Sequence, residues 1–253
     1  MIEYIEIDNV KIPFDTKWQK IAISLSGGAD SALLAYILCE FIDKNKSKTD
    51  VHVISHTRMW KTRPWQQHDS KTVFNYLKNR FPNISFFRHS GFVAPELEWG
   101  EKGPILIDEY GKTVSGDNIQ IRSYSEYICY HENIDAYFNA VTCNPKNVDF
   151  KGLKTRDVVK DDSNQHLELM THMNKVVSHP FRFVEKSWVV KQYKEKGLIE
   201  YFNLTRSCEG EFSNITYVNY VPGQEVPACK ECFWCKERRW AIEQNQPIEG
   251  IKI

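Results

Sequence analysis

The stretch Ile21-Ala22-Ile23-Ser24-Leu25-Ser26-Gly27-Gly28-Ala29-Asp30-Ser31 decides how this chain folds. Its first half is a short apolar run suited to a buried strand, and Leu33, Leu34, Ile37 and Leu38 then repeat at helical spacing. The glycine pair between them therefore stands at a helix N-terminus. Two adjacent glycines let backbone N–H groups converge, Ser26 and Ser31 add hydroxyls, and the helix dipole favours an anion there. The turn reads as a phosphate cradle. No G-K-[ST] follows and no lysine lies within the turn, so it is not a Walker loop. The competing reading is a tight strand-to-helix turn with an Asp/Ser cap.

Outward from that turn, β-rich runs recur at Lys20–Leu25, Val51–His56, Ile84–His89, Ala136–Thr142 and Val176–Ser178. Helical patterns are expected over Asp30–Lys44, Trp65–Arg80, Asn118–His131 and Lys186–Lys196. The alternation predicts an α/β fold, a Rossmann-like parallel sheet flanked by helices, with ligands at the carboxyl ends of the strands. Between Val93 and Gly116 the chain is richer in glycine and charge. Tyr110-Gly111-Lys112 after Ile105-Leu106-Ile107 predicts a hairpin, read as a flap or insertion beside the site. Asn144–Gln165, dense in Lys, Asp and Asn, is expected to be a loop above the same edge, either a solvated connection or a substrate lid.

With 253 residues the chain can bury a full core, and it divides most naturally into an α/β domain over 1–200 and a C-terminal segment over 201–253 packed on it. Formal net charge is zero, so no global field draws it to a polyanion, and nucleic-acid binding would need a local patch. Residues 1–19 do not read as a signal peptide and no window approaches a membrane span. Seven cysteines, an odd number, point to a reducing compartment, hence a cytoplasmic protein. A homodimer is compatible with the sequence and nothing in it fixes the oligomeric state.

Four of those cysteines form C-x20-C-x2-C-x2-C: Cys208, Cys229, Cys232 and Cys235. The two C-x-x-C turns share Cys232, so they cannot both close as disulfides, yet three thiolates can face one centre with Cys208 completing a tetrahedron. That set suits Zn2+, with every position filled and therefore a structural role. Lys230, Lys236, Arg238 and Arg239 lie close enough in sequence to offset a local charge of about minus two. An iron–sulfur cluster uses the same ligands and stays open as the alternative.

Ser26-Gly27-Gly28-Ala29-Asp30-Ser31 resembles the S-G-G-x-D-S signature of the PP-loop ATP pyrophosphatases, whose members split ATP between the α and β phosphates. Cradle and cysteine cluster together resemble the 7-cyano-7-deazaguanine synthase (QueC) family. Cys229-Lys-Glu-Cys232-Phe-Trp-Cys235 is similar to that family's C-G-x-C-x-x-C, and Lys236-Glu237-Arg238-Arg239 to the basic helix after it. Gln67-His68 is similar to a Gln-Arg-His segment, and His179-Pro180 with Lys186 to an H-T-P and its following lysine. Two departures fall at the expected substrate site. Gly116-Asp117-Asn118 stands where the family has Gly-Arg-Asn, and Ala140-Val141-Thr142-Cys143-Asn144-Pro145 replaces a Thr-Gly turn.

The resemblance implies an adenine-nucleotide α-hydrolase-like fold and an ATP-dependent ligase. It would adenylate the carboxylate of 7-carboxy-7-deazaguanine or a close analogue and pass it to ammonia, giving the amide and then the nitrile. It implies that Ser26, Gly27, Gly28 and Ser31 hold phosphates, the Leu25 backbone lies near the nucleoside, Asp30 holds Mg2+, and Lys186 neutralises charge on the leaving pyrophosphate. His68, Gly116, Asn118 and His179 are the implied substrate residues. Each has a plainer reading: Lys186 as a surface lysine, His68 as a structural histidine. His56, Arg58 and Arg63 could meet an anion or form an exposed basic loop. Trp60, Trp65 and Trp99 could stack on a base or serve the core. Two alternatives remain in the same superfamily: transfer of the adenylated acid to another amine, such as one on a protein, and tRNA sulfuration, which would use a thiol such as Cys143.

Overall fold

A computed structural model describes residues 2–58, 65–93, 105–107, 113–145, 148, 150, 168–170, 175–210 and 220–252. The chain opens with an antiparallel hairpin, β1 (Glu3–Ile7) and β2 (Val10–Phe14). Val10, Ile12 and Phe14 alternate into the core, and Asp8 at the turn accepts hydrogen bonds from Trp188 Nε1 at 3.0 Å, Lys191 Nζ at 2.9 Å and Gln192 Nε2 at 3.1 Å. The strand reading above omits this hairpin, although its period-two pattern is visible in the sequence.

The expected alternation follows: β3 (Lys20–Ser24), α1 (Ala29–Lys44), β4 (Asp50–Arg58), α2 (Gln66–Arg80), β5 (Phe86–Val93), the small hairpin β6 (Ile105–Ile107) and β7 (Thr113–Ser115), α3 (Gly116–His131), β8 (Ala136–Phe138), β9 (Glu168–Met170), β10 (Lys175–Ser178) and α4 (Lys186–Glu195). Two further helices close the chain, α5 (Ile199–Asn203) and α6 (Phe233–Glu243). The main sheet has the order β5-β4-β3-β8-β10-β9, parallel throughout except for the antiparallel pair β9–β10.

β3 shows why the fold is layered. Ile21, Ala22 and Ile23 are all fully buried, and side chains alternate across a strand. Ile21 and Ile23 join the large core that holds α1, α2, α4, α5 and α6, while Ala22 joins Ile54, Ile128 and Tyr137 on the α3 side. Leu33, Leu34 and Leu38 of α1 are fully buried in the large core, each contributing about 1.5–3 kcal/mol of apolar burial. Ala241, Ile242 and Ile248 from the C-terminal segment belong to the same core.

The fourth strand of the expected alternation is shorter than the sequence reading: it ends at Phe138 rather than Thr142. Asn139 N–H still donates to Ser178 O at 3.0 Å, the last bond of the β8–β10 ladder, and beyond it Cys143 N–H donates to Val184 O at 3.0 Å. β9 has no counterpart in the sequence reading, and the expected turn at Tyr110-Gly111-Lys112, like most of the expected loop over Asn144–Gln165, lies outside the described residues. No helix of the described residues is long and apolar enough to cross a membrane. Strand order reverses between β3 and β8, so their carboxyl ends open a crevice at the topological switch point.

Candidate active site and metal centre

The Ser26–Ser31 loop lies at that switch point. Leu25 N–H donates to Ile54 O at 2.8 Å, continuing the β3–β4 ladder one residue into the turn. Gly27 then takes a φ of +82°, where a side chain is strained, and a Cβ on it would come within 2.8 Å of Ser70 N and 2.9 Å of Asp69 Cβ. Only glycine lets the loop press against the first turn of α2. Ser26 Oγ and Ser31 Oγ lie 3.1 Å apart, Gly28 N–H donates to Ser26 Oγ at 3.2 Å, and Ser31 Oγ lies 3.2 Å from Gly28 O. Tyr193 donates to Ala29 O at 2.8 Å and Tyr201 to Ala32 O at 3.1 Å, so α4 and α5 fix the first turn of α1 behind the loop.

Asp30 points into the crevice and is ion-paired to Lys186 through Oδ2. Lys186 is no surface residue: only 3% of it is exposed, and its ammonium also lies 3.7 Å from Glu237, which is fully buried. One buried cation thus stands between two carboxylates. Asp30 Oδ1, Gln66 Oε1 and Ser207 Oγ are buried without a hydrogen bond, and all three residues line the same space. Native interiors rarely leave polar atoms so. An orphaned carboxylate oxygen facing a glycine cradle has the chemistry to hold Mg2+, a hard cation that takes one or two carboxylates together with substrate phosphates.

Two contiguous cavities carry the crevice. The smaller, about 100 Å3, is lined by Ser26, Asp30, Asp69, Lys186, Arg206 and Cys208 among others. The larger, about 270 Å3, runs along Ser24–Ser26 to Asn139, Ala140 and Val141 and is bounded by His56, Ile121 and Trp234. Burial raises the Asp69 carboxyl to about 6 against the opposing pull of Arg206, so it exchanges a proton near neutrality. Arg206 stacks over Trp65 with 4.7 Å to the ring centroid, and donates to Val226 O and, at 3.1 Å, to Pro227 O.

The expected residues gather unevenly. Leu25, Ser26, Gly28, Asp30, Ser31 and Lys186 line the crevice, and Gly27 shapes it. Gly116 and Asn118 stand in the first turn of α3, whose Ile121 reaches the larger cavity. His68 is exposed on α2, with Cε1 3.6 Å from where a Cβ of Gly223 would lie, and lines neither cavity; its neighbour Asp69 does. His179 is half-buried after β10 and is also outside the lining. His56 is buried, 3.4 Å from Ser125 Oγ, and does line the larger cavity. Trp65 is buried at the smaller one, whereas Cys143 is buried away from both. Trp60, Arg63 and Trp99 lie outside the described residues, as does the Arg58 side chain. Sequence reasoning missed Asp69, Gln66 and Arg206, which sit in no motif, and gave no site role to Glu237, although it lies within the Lys236–Arg239 segment.

The candidate metal centre is built by two segments. Cys208 follows α5, Cys229 precedes α6, Cys232 is its N-cap and Cys235 lies in its first turn. Their four Sγ atoms lie within 4.8 Å of one another. A single ion with bonds of about 2.3 Å spaces tetrahedral sulfurs by about 3.8 Å, close to the 3.9 Å between Cys229 and Cys235 Sγ. Backbone N–H groups point at the sulfurs: Gly210 and Cys229 donate to Cys208 Sγ at 3.4 and 3.3 Å, and Cys232 to Cys229 Sγ at 3.3 Å. A Cβ on Gly210 would lie 2.4 Å from Cys229 Sγ, so that glycine is part of the cradle. Arg238 anchors α6 from behind, donating to Thr205 Oγ1 at 2.9 Å and lying 3.8 Å over the Phe202 ring.

No protein-family model matches the chain, and no curated protein matches it. Among solved structures it is similar to the U34-tRNA thiolase NcsA from Methanococcus maripaludis, determined with its [4Fe-4S] cluster, at 14% identity and a TM-score of 0.44. The match covers 71% of this chain and 57% of that one, so the chain spans a little over half of that structure's length.

Proposed function

We propose that this chain is a PP-loop ATP pyrophosphatase that activates an organic acid by adenylation. One observation carries the reading: the Ser26–Ser31 loop joins a glycine cradle at a helix N-terminus to an orphaned Asp30 oxygen and a buried lysine. A cradle alone would bind any phosphate. With Asp30 and Lys186 added, it offers a site for a divalent cation and a fixed positive charge beside the bond to be cut.

In the first step a carboxylate oxygen of the substrate attacks the α phosphorus, and the bond to the β-phosphate oxygen breaks, its electron pair leaving with pyrophosphate. Ser26, Gly27, Gly28 and Ser31 hold the departing phosphates and Lys186 offsets their growing charge. Magnesium, when bound at Asp30, neutralises phosphate charge. The larger cavity beside Asn139–Val141 is where the acid would sit, and His56 and Ile121 bound it.

The finer reading follows the motif resemblance. The acid is 7-carboxy-7-deazaguanine or a close analogue, and ammonia attacks the acyl carbon, expelling AMP and losing a proton to give the amide. A second adenylation, on the amide oxygen, and loss of AMP with two protons gives the nitrile. The four-cysteine centre holds one structural zinc, because sulfurs packed this closely suit one ion, whereas a cubane spreads its thiolates over separate irons. In this reading residues 1–200 carry the glycine loop and most of the nucleotide site, and 201–253 carry the metal and part of the crevice wall, seated through Ala241, Ile242 and Ile248.

The test is a product assay with metal-loaded protein, ATP, Mg2+, ammonium and the deazaguanine acid. Pyrophosphate, AMP and a product lighter than the acid support the reading. Acid-dependent pyrophosphate release without amide or nitrile would move the acceptor to another amine. If no acid of this class provokes pyrophosphate release, the adenylation reading falls.

A further inference from the structure

The metal centre and the phosphate loop share their walls. Cys208, Glu209 and Trp234, all within or beside the cysteine motif, line the same crevice as Ser26, Gly28 and Asp30. Cys232 caps α6 and Cys235 lies in its first turn; Glu237 comes two residues later and meets Lys186, which meets Asp30. On the other strand of the centre, the N–H of Arg206, two residues before Cys208, donates to Gly27 O at 2.9 Å.

Those contacts have an energetic consequence. The first turn of a helix lacks upstream hydrogen bonds and holds its shape through caps and tertiary ties. Here the thiolates of Cys232 and Cys235 tie the start of α6 to the centre, while Arg238 holds the next turn to Thr205 and Phe202 with or without metal. With the metal gone, the first turn of α6 loses those ties, and with them one of the restraints that place the Glu237 carboxylate 3.7 Å from Lys186 Nζ. An unsupported buried charge does not stay in place at low cost.

We propose that metal occupancy of the four-cysteine centre and polyphosphate occupancy of the Ser26–Ser31 loop are thermodynamically linked, with Glu237 as the positioning residue on α6 that carries the coupling. This rests on the nucleotide reading above. The metal braces α6, α6 holds Glu237, Glu237 fixes Lys186, and Lys186 with Asp30 meets the phosphates. Linkage is reciprocal, so the anion must in turn hold the metal.

The experiment follows transfer of the bound metal from full-length protein to a chelating dye, with Mg2+ present, in the presence and absence of inorganic pyrophosphate. Calorimetry measures pyrophosphate binding before and after metal removal. Pyrophosphate should slow metal loss about fivefold or more, and metal removal should weaken pyrophosphate binding by a similar factor. Glu237→Gln keeps all four thiolates, and in it the slowing should shrink below about twofold. Glu231→Gln, at a side chain 83% exposed in the same motif, should retain the wild-type slowing. Wild-type protein that binds pyrophosphate yet loses metal at one rate with or without it overturns the linkage and leaves the nucleotide reading standing. Full slowing in Glu237→Gln overturns the role of Glu237, and absence of pyrophosphate binding in metal-loaded wild type removes both inferences.

Discussion

Glu237 Oε2 lies 3.7 Å from Lys186 Nζ, although the two are 51 positions apart in the chain. Lys186 in turn pairs with Asp30, 156 positions away. A lysine between two carboxylates in a buried setting is held in place, and preorganised charge of that kind is what the proposed handling of phosphate would use.

Removing that lysine should separate stability from function. Lys186→Met removes the cation that pairs with Asp30 and lies 3.7 Å from Glu237, a loss of about 3–5 kcal/mol by the usual cost of breaking a buried pair. Asp30→Asn keeps Lys186 paired with Glu237 and should cost far less in a urea melt. Both should lower acid-dependent pyrophosphate release at least about a hundredfold, the scale for losing one preorganised electrostatic group. Equal destabilisation by the two variants would contradict the geometry.

Gly27→Ala should damage the loop more than any other glycine change on that side of the molecule. The added Cβ meets backbone N of Ser70 at 2.8 Å in a conformation side chains rarely adopt. Pyrophosphate binding by calorimetry should be lost, with the thermal midpoint also lowered. Gly197→Ala, at φ +66° with nothing within 4 Å, should cost only about 1–2 kcal/mol and leave binding intact.

Gly210→Ala should act on the metal. Its Cβ would lie 2.4 Å from Cys229 Sγ and 2.6 Å from Cys229 Cβ, so one thiolate must move out of the tetrahedron. Protein purified from cells should carry clearly less than one metal per chain, read by elemental analysis. Full occupancy in this variant would show that the cradle is looser than described. An absorption spectrum of wild type distinguishes zinc, which is colourless, from an iron–sulfur cluster.

Acid should destabilise the protein through His52. Burial and the neighbouring His89, whose Nε2 is 3.0 Å from His52 Nδ1, push His52 down to about 4, against the opposing charge of Glu132. The unfolded chain, near 6.5, therefore takes up the proton first. Stability contributed by the neutral ring is complete above about pH 6.5 and is lost as pH falls toward 4. His52→Phe keeps a ring to stack on Phe87 and should flatten the urea midpoint between those pH values. An unchanged slope would assign the acid sensitivity elsewhere.

Much of the fold was legible because its signals are local. Ile21–Ile23 is apolar on both faces and so reads as a central strand. The repeat from Leu33 to Leu38 reads as a helix, and the glycine pair between them fixes where strand becomes helix. The same holds for α2, α3 and α4. Short elements escaped: β9 has three residues, and α5 has five, too few for a period to show. His68 was singled out by motif resemblance and Asp69 passed over, yet α2 turns Asp69 toward the loop and His68 away from it, and a rotation of one residue on a helix is not written in a motif.

The sequence by itself determined the alternation of the longer strands and helices, the position of the glycine-rich loop and a four-thiolate set able to hold a metal, because each depends on residues close together along the chain. Only the tertiary structure decided that the loop and the metal centre adjoin. Asp30, Lys186 and Glu237 come from α1, α4 and α6, and which charges share one buried space depends on how those helices pack, a property of long-range contacts that no local pattern encodes.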